Sequence, residues 1–263
     1  YTDKVRLVTR SMVTLNAGHA TYPAILIVFD RVIARDPSFR KTWLLHSQQE
    51  PQIAGRTVTV VRDEGRYHGK MEVRALLPEP AEIRKIGGPG KEFWVASAQR
   101  NFPATARNPQ AESGAWRVEV SPAVPRQTDH FLHVMTVMDA AVPAGPKVER
   151  FGDEQVVGVQ LLDRAVVFSL SGELQTGVAF TLPPGDASMM KILVCDLAPG
   201  YWRITCNDRV LRSRLPAGRS AASLYFKGPA GKYALLRVDE AVPRDQADTL
   251  WQGLARESAP YGP

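Results

Sequence analysis

Tyr67-His68 pairs the two side-chain types that can take a proton from carbon and return one to a departing oxygen. The pair lies in Asp63–Gly69, which reads as a turn. Adjacent residues of an extended chain diverge, so the two rings are not expected to meet at one substrate atom. His130 and His133 look like a metal pair, yet only a helix puts residues three apart on one side. The Val, Thr and Met pattern around them reads as strand, so both are expected to be structural. His46 ends the apolar run Thr42-Trp43-Leu44-Leu45 and shares a face with Leu44 and Thr42, which suits a sheet-face histidine. Gly87-Gly88-Pro89-Gly90 precedes the strand-like Glu92–Val95 instead of a helix, so no helix N-terminus is there to receive phosphate. A tight surface turn is expected. The sequence has no GxSxG elbow, Walker loop or HExxH segment.

The net charge is +6 and the isoelectric point about 9.4. A basic surface favours polyanions. Arg40, Lys41, Arg62, Arg66, Lys70 and Arg74 are the side chains that could attract an acidic glycan, and Arg40, Arg66 and Lys70 are the chosen substrate-binding candidates. A solvated sheet face accounts for them equally well. No block of five or six like charges and no nucleic-acid-binding signature occurs, so nucleic acid is not an expected partner. No apolar run reaches the roughly 18 residues of a membrane span; Ala24–Phe29 is strand-sized and stops at Asp30. The chain opens at Tyr1-Thr2-Asp3, without a basic leader or apolar signal core, and runs straight into Val5–Leu15. This start suggests a piece of a longer polypeptide whose preceding part carries any export signal.

These side chains need elements to hold them, and alternation is the recurring pattern. Val118 and Val120 alternate with Arg117 and Glu119; Phe131, His133 and Met135 alternate with Leu132 and Val134. Twenty Gly and twenty Pro separate such segments. The expected strands are 5–15, 24–33, 41–47, 57–62, 70–77, 82–86, 116–121 and 130–138. A second set is 156–162, 165–170, 177–181, 191–195, 202–206, 220–225 and 232–238. Many short strands between turn signals argue for antiparallel sheets in a sandwich. Ala247, Leu250, Trp251 and Leu254 fall at helical spacing after Pro243 and Asp245, giving a short C-terminal helix. Ala96–Ser113 reads as a long exposed loop. The break at Ala140–Val148 divides the chain into domains 1–140 and 141–263.

Cys195 and Cys206 flank Ala198-Pro199-Gly200-Tyr201, which suits a type II turn and hence a hairpin pairing Cys195 with Ile204. Cys206 is then diagonal to Cys195, roughly 7–8 Å away and too far for an easy disulfide. Two half-buried thiols are expected, although a one-residue bulge would reverse that.

Several segments in a shared order carry a family resemblance. They begin with Tyr1-Thr2-Asp3-Lys4-Val5, Thr9-Arg10-Ser11 and Val28-Phe29-Asp30-Arg31-Val32. Asp36-Pro37, Ser38, Lys41, Trp43-Leu44-Leu45-His46-Ser47 and Glu50-Pro51 follow. Next come Leu76-Leu77-Pro78, Gly87-Gly88-Pro89-Gly90-Lys91-Glu92-Phe93-Trp94 and Trp116-Arg117-Val118-Glu119-Val120-Ser121-Pro122. Phe131-Leu132-His133-Val134 and Leu197-Ala198-Pro199-Gly200-Tyr201-Trp202 close the series. Together they resemble the β-sandwich region of heparinase II/III-like polysaccharide lyases over nearly the whole chain.

The resemblance implies an all-β fold of large antiparallel β-sandwich sheets (super-sandwich type), with a second smaller β-domain. It implies a parent protein in which an N-terminal α/α toroid precedes the sheets. That parent would cleave uronic-acid polysaccharide by β-elimination, with tyrosine and histidine moving the protons. A zinc site of two histidines and an aspartate is typical of the family. Its HxHxDxG-like, Asp-x-Gly and His-Asn segments do not occur in this sequence, so catalytic residues and zinc are expected upstream of Tyr1 and no metal in this piece. The expected role here is scaffolding and cleft formation, in a periplasmic or secreted bacterial enzyme. The alternatives are a non-catalytic carbohydrate-binding module for acidic glycans, or a former enzyme kept as a structural protein.

Overall fold

A computed structural model of the chain describes residues 3–102 and 114–240. These residues form two compact units, one from residues 3–15, 19–102 and 114–145, the other from residues 16–18 and 146–240. Apart from one three-residue 3-10 turn at Ala96–Ala98, every described element is a strand. The helix expected around Leu250 and Trp251 lies outside the described residues, as does the 103–113 part of the expected long loop.

The first unit contains β1 (Val5–Leu15), β2 (Ala24–Ala34), β3 (Trp43–Ser47), β4 (Gln52–Ala54), β5 (Thr57–Glu64) and β6 (Tyr67–Leu77). It continues with β7 (Ala81–Gly87), β8 (Trp94–Val95), β9 (Arg100–Asn101), β10 (Trp116–Pro122) and β11 (Thr128–Asp139). A six-stranded antiparallel sheet has the order β1-β2-β11-β6-β5-β4, and a three-stranded one the order β3-β10-β7. Trp43, Val118 and Val120 of the small sheet join Val58, Val73, Ala75 and Phe131 of the large one in a buried cluster. Period-two alternation puts these residues on the facing sides and leaves Arg117 and Glu119 on the far side of β10. His133 lies on the same face of β11 as Phe131, fully buried, with its ring 3.8 Å from that of Trp43. His130 faces the other way and stacks on Phe29.

The glycine-rich segment turns the chain directly after β7, with the Lys91 N–H donating to the Gly88 carbonyl at 2.9 Å. The Trp116 ring packs on Gly87 and Gly88, and a Cβ at Gly87 would stand 2.3 Å from the Ala115 carbonyl oxygen. Gly87 adopts φ +156°, where a side chain is disfavoured.

The second unit contains β12 (Glu149–Gly152), β13 (Val156–Leu161), β14 (Arg164–Ser169), β15 (Gly177–Leu182) and β16 (Met190–Val194). It ends with β17 (Gly200–Cys206), β18 (Arg209–Ala217), β19 (Leu224–Gly228) and β20 (Gly231–Asp239). One sheet has the order β12-β13-β14-β16-β19 and the other β15-β20-β17-β18. Pairing is antiparallel except between β14 and β16. Val167, Ile192 and Phe226 of the first sheet meet Phe180, Trp202, Ile204 and Leu235 of the second in one apolar core.

The expected hairpin around Pro199-Gly200 is not formed. Strand β16 lies in one sheet and β17 in the other, so the Leu197–Pro199 connection crosses the sandwich instead of pairing its flanks. A Pro-Gly bend turns the chain but does not determine which sheet receives the next strand. Neither cysteine is in a disulfide; Cys206 is buried and Cys195 half-buried.

Candidate functional site

The sequence candidates Arg62, Arg66, Tyr67 and His68 gather at one hairpin end. Strands β5 and β6 pair Asp63 with His68 and Glu64 with Tyr67, leaving Gly65-Arg66 as a two-residue turn. Gly65 takes the left-handed φ of +58° that so short a turn demands. Tyr67 and His68 are therefore strand residues and point to opposite faces.

On one face the Arg62 guanidinium lies 3.7 Å from the Tyr67 ring centre and that of Arg66 lies 5.2 Å from it. Arg66 also donates to the Tyr67 hydroxyl oxygen at 3.1 Å. Arg62 is steadied by Gln48 at 3.0 Å and by Glu64 at 3.3 Å. Arginine forks stacked on an aromatic ring are held in place by cation–π attraction, and their planar geometry matches that of a carboxylate or sulfate. On the other face His68 Nδ1 is 2.7 Å from Asp63 Oδ1, both exposed. The hydrogen bond to Asp63, with the nearby Asp63 and Asp139 charges, raises the imidazole pKa. The hairpin brings two guanidiniums to the Tyr67 face, but it does not aim tyrosine and histidine at one proton.

The other basic candidates are spread out. Arg40 donates to Ser121 Oγ at 3.3 Å and lies 3.7 Å from Glu82. Lys70 is buried, and its ammonium donates to the Val142 carbonyl. Lys41 is likewise buried, 3.0 Å from Asp129 and donating to the Arg126 carbonyl. Arg74 reaches Glu72 at 2.8 Å. His46 stands opposite Arg117 across β3–β10.

Sequence reasoning did not single out Glu119, which sits between Arg84 at 2.6 Å and Arg117 at 2.8 Å. Burial pushes this carboxyl up, but hydrogen bonds from both guanidiniums more than offset that and hold it below the usual carboxylate range. The alternation of Arg117 and Glu119 with Val118 and Val120 was the available signal.

Among the described residues no three His, Cys, Asp or Glu side chains converge as a metal site, and no helix is long and apolar enough to cross a membrane. Among the described residues, the histidines and aspartates do not converge into the two-histidine, one-aspartate set typical of the resembling family.

Comparison with known proteins bears on the second unit. Residues 150–237 match the family model of the heparinase II C-terminal domain, which is what the sequence resemblance implies for this region. No curated protein matches the chain.

Proposed function

We propose that this chain is the β-sandwich portion of a heparinase II/III-like lyase that cleaves uronic-acid polysaccharide by β-elimination. The match of residues 150–237 to the heparinase II C-terminal domain is the observation that carries this reading. In it, an N-terminal α/α toroid of the same parent protein supplies the proton-transfer residues and any zinc. The sheets form part of the cleft wall, and the parent works in the periplasm or outside the cell.

The Arg62–Tyr67–Arg66 cluster supports a contact with acidic sugar from this portion. Arg40 is a second, more isolated contact on the first unit. Lys70 contributes through the Val142 carbonyl it holds, which fixes the chain after β11.

Heparin and alginate oligosaccharides should bind the chain weakly, with affinity falling as salt rises. Replacing both Arg62 and Arg66 by Ala should weaken binding roughly tenfold, at up to about 1 kcal/mol for each exposed charge contact. Calorimetric titration at two salt concentrations measures this. Unchanged affinity after the double replacement removes the hairpin from the cleft wall. Tight, salt-independent binding by the chain alone favours a self-sufficient carbohydrate-binding module.

A further inference from the structure

The second unit holds a polar pocket of about 170 Å³, lined by Lys147, Glu149, Gln160, Leu162, Pro184 and Asp186 among others. A single buried water needs only about 10–15 Å³ of such space, so this pocket is larger than a hydration void. Glu149 stands opposite Gln160 across β12–β13, and Pro184 and Asp186 come from the chain after β15.

Gln160 is 3% exposed. Its amide nitrogen donates to Glu149 Oε2 at 2.8 Å and to the Pro184 carbonyl at 3.2 Å. Those two bonds fix which end of the amide is which, and they leave Oε1 buried without a hydrogen-bond partner. A buried acceptor without a donor costs about 1–3 kcal/mol. Lys147 donates to Glu149 Oε1, which commits one of its three N–H groups. Asp186 is exposed, and its charge adds to the field at Lys147. Leu162, also on the pocket wall, holds the left-handed φ of +52°. That conformation belongs to the two-residue turn Leu162-Asp163, which joins β13 to β14 where Leu161 pairs with Arg164.

The lining discriminates among ligands. An anion would meet two carboxylates against one ammonium. A divalent cation would have to displace the Lys147 ammonium, which already holds Glu149, and would find only two carboxylates. A neutral vicinal diol fits both halves of the lining. One hydroxyl can donate to Asp186 or to Glu149, and the hydroxyl oxygens can accept from Lys147.

We propose that this pocket is a binding subsite for the neutral hydroxyls of a sugar ring, built by residues of the second unit alone. The subsite goes beyond the lyase reading and does not depend on it. A neutral residue within a longer glycan would suit it, and a uronate or sulfated unit would not.

The test is a titration of the isotopically labelled chain with glucose, galactose, mannose and N-acetylglucosamine, followed by amide NMR. At least one sugar should shift the Leu162, Gly185 and Asp186 amides and the Gln160 side-chain amide saturably. The expected dissociation constant is in the millimolar range, about 1–10 mM. Asp186→Asn, an exposed change, and Lys147→Gln should each weaken that response several-fold. Absence of a saturable response to all four sugars overturns the subsite. So does a response confined to calcium chloride or sodium sulfate, or sugar shifts that both substitutions leave unaltered.

Discussion

Lowering the pH from 7 to 4.5 should remove about 2–3 kcal/mol from the stability of the first unit through His133 alone. The ring is fully buried, both nitrogens lack hydrogen-bond partners, and Trp43 stacks on it at 3.8 Å. Burial, aided by the positive charges of Arg10 and Arg56, lowers its pKa from 6.5 to about 3. The unfolded ring takes up a proton near pH 6.5 and the folded ring only near 3. Between those values the unfolded state holds the extra proton. The stability is therefore complete above about pH 6.5 and is lost progressively as pH falls towards 3. Carboxylates such as Glu119 also titrate on the acid side, so comparison with His133→Phe isolates the histidine. That substitution keeps a flat ring against Trp43 and discards two unpaired nitrogens, a change that is near neutral or stabilising at pH 7. Hydrogen exchange of β11 amides at pH 7 and 4.5 measures the difference. The wild-type chain should lose much more protection on acidification than the His133→Phe chain; equal losses contradict the neutral buried imidazole.

Trp202→Ala should cost the second unit about 3–5 kcal/mol. The indole is fully buried in the core between the two sheets, and its N–H donates to the Ala198 carbonyl at 3.1 Å. Truncation opens a cavity and strips that carbonyl of its donor. Trp202→Phe refills most of the space and should cost less, about 1–3 kcal/mol. Chemical denaturation of each mutant protein reads both values. A cost below about 1 kcal/mol for Trp202→Ala would mean the core collapses onto the gap. The motif Leu197-Ala198-Pro199-Gly200-Tyr201-Trp202 thus owes its residues to packing. Leu197 is fully buried, and a Cβ on Gly200 would lie 2.4 Å from the Asp239 carbonyl oxygen.

Strands with one buried face were legible in the sequence. Val178, Phe180 and Leu182 point inward and their neighbours outward, so period two stands out in β15. Strand β18 was missed because it is a sheet edge with exposed Arg209, Arg212 and Arg214 and a proline at 216, which leaves little alternation to read. The short β4 and β12, also at edges, escaped for the same reason. Asp63–Gly69 looked like a turn because its polar residues bury nothing, yet hairpin pairing extends to Glu64 and resumes at Tyr67. Within the candidate site, the sequence identified Arg66 but not its packing with Arg62 on Tyr67. That contact depends on cross-strand register, which composition does not encode. Lys41 and Lys70 show the same gap from the other side. Charge is visible in a sequence, whereas the carbonyls that bury these ammonium groups come from residues about 70 to 85 positions away.

Ultraviolet absorbance of the unsaturated uronate, the product of β-elimination, tests the central claim most directly. The chain and its longer parent polypeptide would each be mixed with heparin, heparan sulfate, alginate and hyaluronan. Absorbance should rise with the parent on at least one polymer and stay flat with the chain alone on all of them. A rise with the chain alone would contradict the assignment of proton transfer to the toroid and would make Tyr67, His68 and His46 the residues to replace.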